Sequence, residues 1–198
     1  LSSLSGHIAL PVLIEKLNTL VSTQAWQGAM SVWTNIGNIR QHEKLCFTGI
    51  EAGLNADASH AKVSVRHVEN IFHEITPPVF VPPDLVQLCL TVLENDREGN
   101  KHRVFGFDKW LNAISERDPG MALAITEMYL NYVMRAKPYF SDYENQLVQL
   151  VTRLFTEAEE REESDNGEML KRVVAVQDML LSLGLNSIDA WLKSAERP

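Results

Sequence analysis

Apolar residues recur at a spacing near 3.6 along most of this chain. That period, rather than the period of 2 expected of half-buried strands, restricts the fold to helices packed on helices. In "NQLVQLVTRLFTEA", Leu147, Leu150, Val151, Leu154, Phe155 and Ala158 fall at i, i+3, i+4, i+7, i+8 and i+11, one continuous stripe. Phe107, Trp110, Leu111 and Ile114 make a second stripe, and Trp26, Met30 and Trp33 a third. No run alternates convincingly enough to read as a strand. The expected fold class is all-α, with about nine or ten helices arranged as antiparallel pairs, in a repeat-like array or a compact bundle. Their expected positions are near 8–21, 23–36, 40–54, 59–74, 84–97, 103–116, 119–136, 142–163, 167–183 and 187–196.

Start and stop signals support these bounds. Ser141 and Glu144 form S-x-x-E, the capping box in which each side chain satisfies a backbone N–H of the first turn. Asp165 and Glu168 repeat the spacing in "DNGE". Asp118 followed by Pro119 reads as cap and first helical residue, and Asn186 or Ser187 as the start of a short last helix. Gly184 suits a left-handed residue after a last turn, with Leu185 folding back as its apolar contact.

Between the halves stands "ITPPVFVPPDLV". A proline disfavours helix in the residue before it and cannot donate to a helical ladder, so the preceding helix must stop. Pro83 suits the first turn of the next helix, with Asp84 near its positive end. A flexible linker would be rich in Gly, Ser or charge, whereas Val79, Phe80 and Val81 call for burial. The segment 75–84 therefore reads as an extended connector packed on the helices of one all-helical domain spanning 1–198. A polyproline docking peptide is the alternative.

Net charge is −8, and Lys and Arg are not clustered in either half. A chain that grips a nucleic-acid backbone needs such clusters to replace counterions, so no nucleic-acid partner is expected. Cys46 and Cys89 both sit in apolar helical patterns, which specifies no disulfide framework and suits a reducing, cytoplasmic setting. The apolar run "IALPVLI" ends at Glu15, too short to span a bilayer. No membrane association is expected. The chain opens on Leu1 rather than Met, which suits either a piece of something longer or a chain that has lost its first residues.

Motifs for common chemistries are missing from the sequence: no G-x-x-x-x-G-K-[ST], no G-x-G-x-x-G and no G-x-S-x-G. "HEKLC" imitates the zinc motif H-E-x-x-H with Cys46 in place of the second His, and His42 and Cys46 at i and i+4 would share a helix face. It lacks an evident third ligand, so Cys46 reads as core and His42 as partly exposed. His60 and His67 lie seven residues apart, about 10.5 Å along a helix, too far for one ion. Glu69 and His73 read as a local surface pair. No catalytic residue, cofactor or metal ligand is assigned. The run Glu157, Glu159, Glu160, Glu162 and Glu163 could dock a basic partner, although a solvated helix end, frayed by carboxylates that oppose the dipole, is the plainer reading.

Helix starts in the second half recur about every 21 to 24 residues, so a pair occupies the unit length of HEAT and armadillo-type repeats. The tail "LGLNSIDAWLKSAERP" resembles the C-terminal helical ends of large multidomain bacterial NTPases of the signalling and defence type. That resemblance covers sixteen residues and implies a sensing or scaffolding role beside an ATPase. Together these features lead to the expectation of a non-catalytic helical scaffold or sensor with a protein partner, part of a larger protein or assembly. The alternative is a helical-bundle enzyme or metal protein with inward-facing His and carboxylates. Such di-iron bundles use Glu-x-x-His pairs, and the sequence has no E-x-x-H. One equivalent of tightly held zinc or iron in the purified protein would reverse that order. If the connector is fully packed, Phe80→Ala should cost about 3 to 5 kcal/mol in chemical denaturation.

Overall fold

The computed structural model describes residues 12, 26–56, 71–72, 79–95, 106–137, 140, 142, 145–165 and 167–185. Among them the secondary structure is all helical: α1 (Trp26–Trp33), α2 (Ile36–Ala56), α3 (Pro83–Glu94), α4 (Phe107–Ser115), α5 (Pro119–Ala136), α6 (Gln146–Asp165) and α7 (Glu168–Ser182). These are seven helices among the described residues, against the nine or ten expected. The expected helices near 8–21, 59–74 and 187–196, the Ser141/Glu144 box and the Asn186/Ser187 start lie wholly or mostly outside those residues. The chain divides into two compact units, Leu1–Gly106 and Phe107–Pro198.

In the first unit α1 packs on α2, and α2 on α3. The break expected between the helices 23–36 and 40–54 falls earlier, at Thr34 and Asn35. Thr34 donates its hydroxyl back to Met30 O, and the Asn35 carboxamide accepts from Asn38 N. Asn35 thus satisfies an orphan N–H of a new helix, and α1 ends where α2 begins. Within α2, His42 leaves helical geometry at φ −140° and ψ 46°, which kinks the element.

Met30, Trp33, Ile39, Cys46, Ile50 and Leu54 are buried. Glycines on α2 make the α1 contact possible. A Cβ on Gly49 would overlap the Trp33 indole, and one on Gly53 would lie 2.6 Å from Met30 Sδ. Large side chains of α1 therefore rest directly on the α2 backbone.

The connector's described end belongs to the first unit. Val79 and Val81 are buried while Phe80 between them is only half-buried, and Pro82 is extended at φ −57° and ψ 140°. Period-2 alternation in an extended chain turns Phe80 away from the side that takes the two valines. Pro83 opens α3 with Asp84 in its first turn. The cost of Phe80→Ala accordingly falls below the fully buried range given above.

In the second unit α4 contacts α5 and α6, α6 contacts α7, and α5 contacts α7. The stripes lie inside: Phe107, Trp110, Leu111 and Ile114 are fully buried, as are Leu147, Leu150, Val151, Leu154 and Ala158, with Phe155 half-buried. The Phe107 ring ties α4 to α5, its centroid 4.5 Å from that of Tyr129, and within α4 it lies 5.4 Å from Trp110.

Asp118 accepts from Met121 N at 2.9 Å ahead of Pro119, as the sequence indicates. Gly184 takes φ 90°, while Leu185 N donates to Leu180 O and Gly184 N to Leu181 O, closing α7 by the Schellman pattern. "DNGE" behaves differently. Asp165 is the last residue of α6, and the cap of α7 is Gly167 at φ 68° with no side-chain bond. The acidic helix continues through the position where a capping aspartate would have to leave it.

Two glycine substitutions separate close approach from propensity. Alanine is favoured over glycine in a helix by up to about 1 kcal/mol. At Gly49 the overlap with a rigid indole forces a shift that costs about 1–3 kcal/mol. At Gly120 the new Cβ would meet only Asp118 Oδ1 at 3.6 Å, an ordinary contact. Urea denaturation should show a lower midpoint for Gly49→Ala and an equal or higher one for Gly120→Ala; a higher midpoint for both would contradict the close crossing.

Candidate functional site

The kink at His42 decides what "HEKLC" can do. Glu43 to Ala56 form regular helix beyond it, so His42 does not sit one helical turn below Cys46 on a common face. Cys46 is fully buried, and burial pushes its thiol up to about 12; burial does the same to Cys89, a hydrogen bond with its own backbone opposing it weakly. A thiol held protonated is a poor metal ligand and nucleophile. Among the described residues no three His, Cys, Asp or Glu side chains converge on a point where an ion could sit. His60, His67, Glu69 and His73 lie outside the described residues.

Beyond the kink, one face of α2 carries Glu43, Lys44, Phe47, Thr48 and Glu51, and it faces Pro82, Asp84 and Leu85 where the connector enters α3. Together they enclose a groove of about 600 Å³, within the range of ligand and peptide sites. Its floor is apolar: Phe47 and Leu85 are packed into the core with only an edge in the groove. Its rim is exposed and acidic, three carboxylates against Lys44. Among the described residues no cation forms an ion pair with Glu43, Glu51 or Asp84. A smaller hollow of about 360 Å³ lies in the second unit, lined by Val133, Met134, Lys137, Phe140, Ser182 and Leu183.

Polar residues of the second unit form a seam between α4 and α6 that runs from the buried Asn112 and Ser115 out to the surface. Arg153 donates through one terminal nitrogen to Asn112 O at 2.7 Å, Asn112 Oδ1 at 3.0 Å and Ser115 Oγ at 2.7 Å, and through the other to Glu116 at 3.3 Å. Asn112 Nδ2 donates in turn to Gln146 Oε1 and Gln149 Oε1. Ser115 Oγ donates to Asn112 O. The guanidinium thus satisfies carbonyl and side-chain acceptors at the end of α4, and the Ser115 hydroxyl faces a cation instead of a general base. That is the opposite of nucleophile activation.

At the start of α6, Asp142 accepts from Leu147 N at 2.9 Å and Val148 N at 3.1 Å, supplying the helix-start acceptor. Burial raises the Asp142 pKa; those N–H groups pull it back, and the like charge of Asp108 raises it further. On the other side, Arg172 pairs bidentately with Glu127, Nε to Oε1 at 2.9 Å and a terminal nitrogen to Oε2 at 2.7 Å, joining α7 to α5. The Glu127 hydrogen bond is the main reason the Arg172 pKa is raised.

Of the acidic run, Glu157 pairs with Arg161 one turn on, and Glu159 and Glu160 are exposed. Glu162 and Glu163 lie in α6, with side chains outside the described set. The groove residues Lys44, Phe47, Thr48 and Glu51 carried no sequence signal for a groove beyond an acid, aromatic, acid spacing at 43, 47 and 51, and Pro82 only its place in the connector. Comparison with known protein families, with curated proteins and with solved structures finds no match. No described helix is long and apolar enough to cross a membrane.

Two measurements follow from these environments. Neither thiol should be alkylated in the native protein near pH 8, and both should react on unfolding; fast native labelling of either would contradict its burial. Because the Asp142 pKa is raised on folding, the folded state binds that proton more tightly than the unfolded chain. Its contribution is therefore fully present below the unfolded pKa and is lost as pH rises through the folded one. Urea midpoints at about pH 3.5 and 6.5 should show wild type gaining on Asp142→Asn at the acid end; a pH-independent difference would contradict the raised pKa.

Proposed function

We propose that this protein is a non-catalytic α-helical module that works by binding another protein, as a scaffold or sensor in the cytoplasm. The observation that carries this reading is the α2/α3 groove, where an apolar floor lies within a ring of exposed carboxylates that no cation pairs with among the described residues. Specific interfaces place an apolar centre inside a polar rim, and unlike charges across the rim steer the encounter. Opposing the enzyme reading, two of the polar groups between the helices of the second unit are committed to helix ends: Arg153 to the end of α4, Asp142 to the start of α6. Helix pairing in an antiparallel, repeat-like arrangement belongs to the same proposal, as does a place within a larger assembly. The likeness of the tail to bacterial signalling NTPases makes a sensing role beside an ATPase the specific setting, and Glu159 and Glu160 offer a second acidic surface of the same sign.

A photo-crosslinking amino acid at Thr48, an exposed rim position, tests the reading in extracts of the source cell. A discrete protein adduct is expected. Excess wild-type protein should compete it away, whereas excess Thr48→Trp protein, whose groove is plugged, should not. No adduct, or equal competition by the two proteins, would overturn the reading.

A further inference from the structure

The groove's dimensions narrow what can occupy it. Glu43 and Glu51 stand eight residues apart on a regular stretch of α2, with Phe47 midway between them. At 1.5 Å per residue the two carboxylates are therefore about 12 Å apart along the helix axis, flanking the apolar edge at the centre. A second α-helix laid along this face meets the same ruler. It can answer both acids and the aromatic only if it carries cations four residues before and four residues after an apolar residue, all on one face. Asp84, on the opposite wall, adds a third negative charge, and among the described residues Lys44 beside Glu43 is the one rim cation.

We infer that the groove between α2 and α3 receives a basic amphipathic helix of the pattern Lys/Arg-x-x-x-Φ-x-x-x-Lys/Arg, in which Φ is a large apolar residue seated over Phe47 and Leu85. This rests on the protein-binding reading above and goes beyond it in fixing the partner's secondary structure, charge and spacing. Charge complementarity decides between occupants. An acidic or neutral helix would leave three rim carboxylates facing like charge or nothing, and a second copy of this chain, at net charge −8, is a poor source of a basic face.

The test uses the full chain and three labelled peptides of roughly 15 residues, stapled to remain helical at that marginal length. The first carries Lys-x-x-x-Leu-x-x-x-Lys. In the second Glu replaces Lys, and in the third the lysines are moved two positions to the opposite face. Fluorescence anisotropy should show the first binding with a Kd on the order of 10–100 μM, weakening as salt is raised. It should bind about tenfold more weakly, or not at all, to a Glu43→Lys, Glu51→Lys double variant.

The same loss is expected for Thr48→Trp, and both variants change exposed side chains whose folding circular dichroism can check. The second and third peptides should not bind. Comparable binding of the acidic peptide, indifference to the double charge reversal, or no binding of the first peptide at millimolar concentration would overturn the inference. A Thr48 crosslink mapped to an acidic or neutral segment, or to a second copy of the chain, would also overturn it while leaving a protein-binding groove in place. Failure of crosslinking altogether would remove the underlying reading.

Discussion

The crossing of α1 over α2 at Gly49 fixes the first unit. A helix that exposes bare backbone at Gly49 and Gly53 lets Trp33 and Met30 come nearer than any other residue type would allow. Successive residues turn by 100° around a helix, so positions two apart lie on nearly opposite sides. Seating Gly49 against Trp33 therefore turns Phe47 and Glu51 toward α3. The groove and the crossing are two faces of one rotational setting. A side chain at Gly49 would rotate or lift α2 and change the angle at which the acidic face meets the connector.

The second unit solves a different problem with different means. Its apolar stripes bring four helices together, but polar groups at the helix ends still have to be satisfied away from water. Arg153 and Asp142 do this for the end of α4 and the start of α6, one as a multiple donor and the other as a paired acceptor. Asp142 accepts a compromise in return. It keeps its bonds to Leu147 and Val148 while partly buried, with the Asp108 charge adding to the penalty, and its raised proton affinity records that conflict. The Arg172–Glu127 pair is half-exposed and worth at most about 1 kcal/mol, so it aligns α5 and α7 more than it holds them.

What could be read from the sequence was local and periodic. The buried stripes at 107–114 and 147–158, the Asp118–Pro119 start and the Gly184 stop depend on residues a few positions apart, where spacing is itself the mechanism. What escaped reading depends on competition or on distance. Asn35 looks like one more residue in a helical stretch until its carboxamide captures Asn38 N and starts α2 there, ahead of the expected start at 40. His42 carries no breaker signature, yet the chain bends there. Asp165 had the right spacing for a cap but was retained by the preceding helix. The groove joins residues at 43–51 to residues at 82–85, and each of its carboxylates, taken alone, is an ordinary solvated charge. Only folding puts them around Phe47.

The Trp33 indole combines burial with an N–H that no acceptor meets among the described residues. An unmet buried donor costs about 1–3 kcal/mol, and here it accompanies the nearness of the Gly49 backbone. It also has an optical consequence. Excited indole lowers its energy by reorienting nearby dipoles and by binding water at the ring nitrogen, and Trp33 has little of either. Its emission should lie far to the blue of a hydrated indole and move red as soon as α1 lifts from α2, which makes this residue a built-in gauge of whether that crossing is closed.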